Sequence, residues 1–436
     1  MQAGRRGTHG SRRWPGFLQS RPKLQRYLFL LFAGVTSLAV VVALVVLRNR
    51  PTGPLGGVES ASGTSTSIAV TVTPPTASTR GAVQPGQTTR PAPSSSWAPE
   101  PHAGLSIRVA GNHFVDGDGN MVRLLGANRS GTQYACAEGT GIFDGPSDDT
   151  SIANMRKWGF NAVRVNGNED CWLGINGVPK QYGGASYRAA VADYVRRINA
   201  AGMYVIVDLH HSAPGRTLAS DQQPMPDRDH APAYWRSVAE QFKHNHAVVF
   251  DLYNEPYPDD NHDTTAAWTC VRDGGTCPGV DFTAAGMQEL VNAVRAAGAT
   301  NPILIGGPQY AGVVDQWLAY EPNDPARQLA ASIHVYYQNR ANPEWSPCYL
   351  RQCWERTIAP LARQVPVVMG EIGEHDCGHS LIDPLMSWND RHGVSYLAWA
   401  WFTGNCIDEP ALISSYDGTP TAFGRGVRSH LLSLHR

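Results

Sequence analysis

The sequence has no excess of charge of either sign, and this absence argues against one large class of partner. Its 436 residues carry 36 basic and 37 acidic side chains, a formal net charge of -1. Proteins that bind nucleic acid attract it with an excess of positive charge, which this chain does not have. We therefore expect no nucleic-acid partner.

Long apolar runs without charge are also lacking, with one exception at residues 27–47. As a helix, these 21 residues would span the roughly 30 Å hydrocarbon core of a membrane. Seven basic residues precede the run and two follow it closely, which predicts that residues 1–26 are a basic cytoplasmic tail and that the rest is extracellular. We predict an uncleaved signal anchor of a single-pass cell-membrane protein. The alternative is a cleaved signal peptide and a secreted protein.

Residues 48–103 have too few apolar side chains to form a folded core. They are rich in Pro, Ser, Thr and Gly, as in the stretch TPPTASTRGAVQPGQTTRPAPSSSWAPEP. Chains of this composition stay solvated because they cannot bury enough apolar surface. The segment is therefore predicted to be a disordered linker that holds the following domain away from the membrane.

Cysteine is absent from the first 130 residues, and the eight cysteines that follow do not have the spacing of a zinc site. The sequence contains no C-x2-C pair, which argues against structural zinc. An even number of cysteines in an exported chain favours disulfides. Pairing by proximity along the chain predicts four bonds: Cys136–Cys171, Cys270–Cys277, Cys348–Cys353 and Cys377–Cys406.

From residue 104 to residue 436 the sequence reads as one globular domain. It opens with a short hairpin that turns at Asp116–Gly119. Eight apolar, strand-like runs follow, at 122–127, 161–166, 203–210, 247–255, 302–307, 331–337, 366–371 and 394–401. Helix-like segments lie between and after them, at 186–201, 232–244, 282–298, 354–363, 381–391 and 424–434.

Continuous apolar strands separated by helices are typical of a parallel sheet that is covered on both faces. Eight such units predict an α/β fold, a closed (β/α)8 TIM barrel. An open, doubly wound sheet would carry a G-x-G-x-x-G turn after its first strand. Residues 126–131 read GANRSG, so that turn is missing.

Polar or aromatic residues end several of the predicted strands, always at the carboxyl end. In barrels of this type the reactive groups gather at that end. The candidates are Arg164, Asp208, His210, His211, Asn254, Glu255, His334, Tyr336, Glu371, Trp399 and Trp401. Their shared position predicts one site.

Glu255 and Glu371 are the pair that could cleave a glycosidic bond. That reaction needs a protonated carboxyl to protonate the leaving oxygen and a carboxylate at the anomeric carbon. Arg164 and the hydroxyl of Tyr336 could keep Glu371 ionised. Carboxyl groups about 5–5.5 Å apart would give retention of configuration, and roughly 6.5–9.5 Å would give inversion.

The strand-end residues resemble those of glycoside hydrolase family 5, the cellulase family of barrel glycosidases. The resemblance covers roughly residues 105–434, and its most specific parts are Asn254-Glu255-Pro256 and Glu371. It implies a retaining β-glycosidase, with Glu255 as acid/base and Glu371 as nucleophile. It also implies that Asn254 binds the sugar 2-hydroxyl and that His334 lies near the acid/base.

The resemblance implies roles for further residues at the strand ends. Arg164 and Tyr336 would orient the nucleophile, and a tryptophan would form the floor of the subsite where cleavage occurs. His210 and His211 are adjacent and would face opposite sides of a strand, so His210 takes the family role. Trp399 and Trp401 share a face of the predicted strand, and Trp399 is favoured. All four stay candidates for substrate binding.

Other residues have a plainer interpretation. Four acidic residues near the site are predicted to be loop charges: Glu169, Asp170, Glu374 and Asp376. Four tryptophans outside the predicted strands are at least as well explained by packing as by sugar binding: Trp172, Trp268, Trp345 and Trp354. Two cysteine-bearing insertions, residues 257–282 and 338–353, are expected to lie at the rim of the cleft and to select the substrate.

The predicted substrate is a β-linked oligo- or polysaccharide, with β-1,4-glucan first. The alternatives on the same barrel are a transglycosylase and a carbohydrate-binding surface protein without activity. A metal-dependent hydrolase would need two histidines on one strand face, usually as His-x-His, and the third strand has adjacent histidines instead. We expect no metal, no cofactor and a monomer.

Overall fold

The computed structural model describes residues 104–337, 347–407 and 409–434. The chain divides into two units between Ala92 and Pro93, and the described residues belong to the second. The predicted cytoplasmic tail, the membrane segment at 27–47 and the linker lie outside the described residues, so all three stay predictions. None of the helices that the structure describes is long and apolar enough to cross a membrane.

Eight parallel strands form a closed barrel, which confirms the predicted fold. We number the barrel strands in chain order: β1 Leu125–Arg129, β2 Ala162–Asn168, β3 Tyr204–His211, β4 Val248–Asp251, β5 Ile303–Gly306, β6 Leu329–Tyr337, β7 Val367–Glu374 and β8 Ser395–Ala398. Each strand pairs with the next in the chain, and β8 pairs with β1 to close the ring.

Helices follow most of the barrel strands and cover their outer faces. We number seven of them in chain order: α1 Asp149–Lys157, α2 Ala185–Ala200, α3 Ala231–Phe242, α4 Met287–Ala296, α5 Ala359–Ala362, α6 Ile382–His392 and α7 Ala422–Ser433. A π-helix, Trp354–Ile358, leads directly into α5. Side-chain caps begin some of the helices: Asp148 accepts from the Ser151 amide before α1, and Thr421 accepts from the Gly424 amide before α7.

Shorter elements lie in the loops. The additional helices are Glu169–Leu173, Pro258–Asn261, Thr265–Asp273, Pro308–Ala311 and Arg351–Cys353, with 3-10 turns at Trp317–Ala319 and Pro347–Tyr349. Two small ribbons pair Gly274–Gly275 with Ala284–Ala285 and Ile413–Ser415 with Thr419–Pro420. Because residues 284–285 belong to a ribbon, α4 begins five positions later than the predicted helix at 282.

A three-stranded antiparallel meander precedes the barrel, at Arg108–Ala110, His113–Val115 and Met121–Val122. Its turn at residues 116–120 is held by Asp116, whose carboxylate accepts from the amides of Asp118 and Asn120. Ile107 and Phe114 pack in one cluster with residues near the amino ends of the barrel strands, such as Ala162 and Tyr204. The meander therefore closes the end of the barrel opposite the polar strand ends.

All four predicted disulfides are present. Cys136–Cys171 joins the loop after β1 to the short helix after β2. Cys377–Cys406 joins the segments after β7 and β8. These two bonds link neighbouring loops at the carboxyl end of the barrel, where loops carry function on a rigid scaffold.

The largest differences from the predicted strands lie at three carboxyl ends. β4 ends at Asp251 rather than at residue 255, and β8 ends at Ala398 rather than at residue 401. β7 continues to Glu374. The chain stays buried after it leaves the sheet, so apolar residues continue past the last paired residue. The apolar pattern of the sequence therefore does not show where the strand ends.

Candidate active site

A cavity of about 450 Å³ opens at the carboxyl end of the barrel. Its size is typical of small-molecule sites. Seven of the predicted site residues line it: His210, Asn254, Glu255, His334, Tyr336, Glu371 and Trp399. Five residues that the sequence did not indicate complete the lining: Gln222, Tyr310, His375, Glu409 and Pro410.

Glu371 is held by a cation and a hydroxyl group. Arg164 Nη1 donates to Glu371 Oε1 at 2.8 Å, and Tyr336 Oη donates to Glu371 Oε2 at 2.5 Å. The side chain of Glu371 is only 5% exposed, and that of Arg164 is fully buried. Hydrogen bonds to charged groups are short and directional, so these two donors fix the orientation of the carboxylate.

Arg164 lies below the cavity and contacts two further carboxylates. Its Nη2 is 2.9 Å from Asp208 Oδ2, and its Nε is 3.0 Å from Asp251 Oδ2. Burial would raise the pKa of Asp208, but Arg164 and His210 hold that pKa below its usual value. Burial raises the pKa of Asp251 to about 7, against the lowering effect of Arg164. One guanidinium thus supports several buried acids from β3, β4 and β7.

An irregularity in β7 turns Glu371 toward the cavity. In the register of β6 and β7, Ile333 pairs with Met369, but His334 pairs with Glu371, so Gly370 is an extra residue. A bulge of this kind shifts the alternation of side chains by one position. A Cβ atom at Gly370 would lie 2.9 Å from His334 Nε2 and 3.0 Å from Ser332 Oγ. Glycine is therefore the residue that fits beside His334.

Glu255 has neutral neighbours. It lies in the irregular segment after β4, and Gln222 Nε2 donates to its Oε2 at 3.1 Å and to its backbone carbonyl at 3.0 Å. His334 Nδ1 is hydrogen-bonded to Glu255 Oε1 at 2.9 Å. Burial raises the pKa of Glu255 above its usual value, although the bond from Gln222 lowers it. Burial also lowers the pKa of His334 to about 4, so this imidazole is neutral at physiological pH.

The two glutamates face one another across the cavity with His334 between them. His334 Nδ1 is 2.9 Å from Glu255 Oε1 and 3.6 Å from Glu371 Oε2. One carboxylate oxygen of each glutamate and one nitrogen of His334 all lie within 4.8 Å of one another. Two acids of the same type thus share one cleft but have different partners.

His210 and Trp399 form one wall of the cavity. Their rings stack with centroids 5.4 Å apart and planes inclined by 18°. Asp208 Oδ2 lies 2.8 Å from His210 Nδ1, which fixes the position of the imidazole. The wall combines an aromatic face with a histidine edge, which suits contact with both the face and the hydroxyl groups of a sugar.

The remaining substrate-binding candidates do not line the cavity. Arg164 acts from below it through Glu371 and Asn254. His211 does not line the cavity, so the structure gives no support for its predicted role in substrate binding. Trp401 is fully buried against Trp158, so its predicted substrate role is not supported either. Since β8 ends at Ala398, strand alternation does not place Trp401 with Trp399.

The interpretation of nearby acids as loop charges was wrong for three of them. Glu169 and Asp170 begin a short helix, Glu374 ends β7, and all three are buried. Glu374 Oε1 accepts from the amides of Leu381 and Ile382, so it holds the start of α6. Trp172, Trp268 and Trp354 are packed in the core, and Trp345 lies outside the described residues.

Two groups in the described part of the chain could hold a metal ion: Glu255 with His334 and Glu371, and Glu169 with Asp227 and His230. In the first group, most of the polar atoms already have hydrogen-bond partners. The second group lies outside the cavity lining, at the start of the helix after β2 and in the loop before α3.

Comparison with known proteins identifies the family. The sequence profile of the cellulase family, glycosyl hydrolase family 5, matches residues 115–405. The chain belongs to this family. The match includes all eight barrel strands and both glutamates of the cleft.

Individual relatives are distant. Endoglucanase A of Butyrivibrio fibrisolvens is 28% identical over 222 residues, which cover 49% of this chain and 41% of that protein. The β-mannanase/endoglucanase A of Caldicellulosiruptor saccharolyticus is 22% identical over 299 residues, 65% of this chain and 19% of that protein. The chain thus matches less than half the length of either relative.

A family 5 chain is expected to share its fold with solved glucanases, and it does. The β-glucanase of Saccharophagus degradans in complex with cellotetraose superposes with a TM-score of 0.57 at 19% identity. The superposition covers 80% of this chain and 98% of that one. The likeness extends over nearly the whole of that barrel.

Proposed function

We propose that the protein is a retaining β-glycosidase that hydrolyses β-1,4-glucan on the outer face of the cell. The observation that carries the proposal is the separation of the glutamates: one oxygen of Glu255 and one of Glu371 lie within 4.8 Å. Retaining enzymes have carboxyl groups about 5–5.5 Å apart, whereas inverting enzymes need roughly 6.5–9.5 Å to admit a water molecule. The short separation favours a covalent intermediate.

Glu255 fits the role of acid and base. Burial raises its pKa, so the side chain holds a proton to a higher pH than an exposed glutamate. Its side chain is still 18% exposed, on the cavity side. It can therefore give its proton to the leaving oxygen and later take one from water.

Glu371 fits the role of nucleophile. Arg164 and Tyr336 hold its two oxygens in place. In the first step Glu371 would attack the anomeric carbon while Glu255 protonates the oxygen of the departing sugar. In the second step Glu255 would remove a proton from water, which attacks the glycosyl-enzyme and releases Glu371. Each step inverts the anomeric carbon, so the product keeps the β configuration.

The choice of β-1,4-glucan rests on the relatives and on the cavity wall. The names of the relatives are endoglucanase and β-mannanase/endoglucanase, and the solved glucanase holds cellotetraose. Trp399 presents an aromatic face beside both glutamates, and the equatorial hydroxyls of a β-glucan leave flat apolar faces for stacking. Asn254, whose side chain accepts from Arg164, would bind the 2-hydroxyl of the sugar.

The test measures the rate on each substrate and the anomeric configuration of the first product. The full-length chain is incubated with soluble β-1,4-glucan, β-1,4-mannan, β-1,3-glucan and an α-glucan, and the new reducing ends are followed by proton NMR. We expect the β-1,4-glucan to be cut fastest and the β anomer to appear first, before mutarotation. The Glu371→Gln variant is the control for contaminating activity. An α anomer as first product, or equal rates for parent and variant, would contradict the proposal.

A further inference from the structure

A second group of buried acids lies outside the cleft. Glu169 is the first residue of the helix Glu169–Leu173, which directly follows β2. Asp227 and His230 lie at the end of the loop between β3 and α3. The side chains of Glu169 and Asp227 are 0% and 1% exposed, and that of His230 is 21% exposed. Neither acid takes part in the mechanism described above.

These two carboxylates have no strong cation beside them. Among the described residues, no lysine or arginine forms an ion pair with Glu169 or Asp227; their only ion-pair partner is His230. Two of their oxygens, Glu169 Oε2 and Asp227 Oδ2, are buried without a hydrogen-bond partner. Buried carboxylate oxygens without donors are unfavourable. Two things can remove this cost: a proton shared between the two carboxyl groups, which are close enough to hydrogen-bond to each other, or a bound cation.

The distances around His230 are long for hydrogen bonds and fit the spacing of ligands around one ion, although Glu169 Oε1 and Asp227 Oδ1 also accept from the amides of Ala213 and His230. His230 Nδ1 is 3.3 Å from Ala213 O, 3.4 Å from Asp227 Oδ1 and 3.7 Å from Glu169 Oε1. All three exceed the usual range of about 2.7–3.2 Å for an N–H···O bond. Ligands that lie about 2.1 Å from a metal at the corners of a tetrahedron are about 3.4 Å apart.

We propose that Glu169, Asp227, His230 and the carbonyl of Ala213 bind one divalent transition-metal cation, such as Zn²⁺ or Mn²⁺. An imidazole nitrogen among carboxylate oxygens suits these ions, whereas Ca²⁺ and Mg²⁺ prefer sites made of oxygen alone. The exposed edge of His230 is the route by which the ion enters. The site is separate from the two glutamates of the cleft.

The ion would stabilise the loop that carries Gln222. This residue precedes Asp227 in the same loop, and it donates to the side chain and the backbone of Glu255. Bound metal would join that loop to the end of β2 through Glu169. The effect on catalysis rests on the proposed function, but the binding of the ion does not.

The experiment measures binding directly, without an activity assay. The full-length chain is purified in detergent, stripped with a chelator and titrated with Zn²⁺ and with Mn²⁺ by calorimetry. We expect one saturable site for at least one of the two ions and a rise in Tm of a few degrees when it is filled. Calcium is expected to show no saturable binding and to leave Tm unchanged.

Variants locate the ion. Asp227→Asn and His230→Leu are expected to weaken binding at least about tenfold, since each removes a ligand. Asp229→Asn is the matched control, because its exposed carboxylate lies in the same loop and, among the described residues, accepts a hydrogen bond from the Gly215 amide alone. His230→Leu keeps the test valid if Asp227→Asn does not fold.

Two results would overturn the proposal. The first is the absence of saturable binding by either ion up to millimolar concentration, which would mean that Glu169 and Asp227 share a proton instead. The second is loss of binding in Glu371→Gln with binding intact in His230→Leu, which would place the ion in the cleft. A failed glycan screen with intact metal binding would reject only the proposed function.

Discussion

The two walls of the cleft differ in charge, although each presents a glutamate. On the Glu371 side, a buried guanidinium contacts three carboxylates from three strands. On the Glu255 side, the partners are an amide and an imidazole whose pKa is lowered to about 4. Identical side chains can therefore take opposite roles, because their neighbours favour different protonation states.

The walls differ in construction as well. Arg164, Tyr336 and Glu371 all lie on barrel strands, where pairing on both sides fixes the backbone. Glu255 and Gln222 lie beyond the strand ends, in loop segments. We expect substitutions on the charged wall to affect both stability and catalysis, and those on the neutral wall to affect mainly catalysis. Substitutions at five positions test this contrast.

The largest expected effect comes from removing the glutamates themselves. Glu371→Ala should lower kcat by about 10⁵-fold or more, because the nucleophile is lost. Glu255→Ala should lower kcat/KM by about 10²–10⁴-fold on glucan and much less on an aryl glycoside, because a leaving group that needs no proton spares the first step. Both variants should retain the fold, as checked by circular dichroism.

Added azide distinguishes the two walls by the configuration of the product. In Glu371→Ala, azide would replace the carboxylate and give the α-glycosyl azide. In Glu255→Ala, the glycosyl-enzyme still forms, and azide would give the β-glycosyl azide. The same anomer from both variants would contradict the assignment of roles.

Arg164→Met is expected to have the next largest effect, and it acts on stability too. The change leaves Asp208, Asp251 and Glu371 without their shared cation, and breaking a buried ion pair costs about 3–5 kcal/mol. Denaturant unfolding of the parent and the variant measures the loss. Arg164→Lys is the matched control: it keeps the charge but lacks the planar fork, so it should recover only part of the stability.

Tyr336→Phe removes a single donor from Glu371. A hydrogen bond to a charged group contributes about 1.5–3 kcal/mol, so kcat should fall about ten- to a hundredfold. KM for an aryl glycoside should change little if the bond matters mainly in the transition state. A rise in KM with kcat unchanged would mean that Tyr336 binds sugar rather than orients the carboxylate.

Gln222→Met is expected to have the smallest effect on rate, but it should shift the pH profile. Gln222 donates to Glu255 and lowers the pKa of that carboxyl, so the substitution should raise it. A general acid works only while protonated, and activity is lost as pH rises through its pKa. The alkaline limb of kcat/KM should therefore move to higher pH, while the free energy of unfolding changes little. A limb that stays in place or moves to lower pH would contradict this role of Gln222.

The sequence predicted the number and order of the barrel strands well, because burial and period are local properties. Alternation predicts that one of His210 and His211 faces the cavity, and His210 lines it, although the pairing of β2 with β3 shifts at this point. It does not predict the inward position of Glu371, which depends on the extra residue Gly370 and on pairing with β6. The register depends on how two strands pair, so it cannot be predicted from the sequence of one strand alone.

Other residues could not be predicted, because loops have no period. Gln222 reaches Glu255 from a loop in which Pro224 and Pro226 follow it, and nothing in that stretch indicates a contact 33 residues away. The sequence places Asp251 inside an apolar strand and gives no sign that its carboxylate forms an ion pair with the buried Arg164. Glu169 and Asp170 were assigned to a loop because charge near a strand end suggests solvent. In each case the side chain is buried by residues distant in the sequence, which the neighbouring sequence does not indicate.

Gly370 gives a criterion for sorting other barrels of this family. The site tolerates no methyl group there, because His334 and Ser332 already occupy the space. A homologue that keeps both acids but carries a larger residue at the matching position would have to displace its imidazole. Such a chain would still have both glutamates in its sequence, yet we would not expect it to be an efficient catalyst. The residue at this one position therefore indicates whether the imidazole beside the two glutamates can take its place in the site.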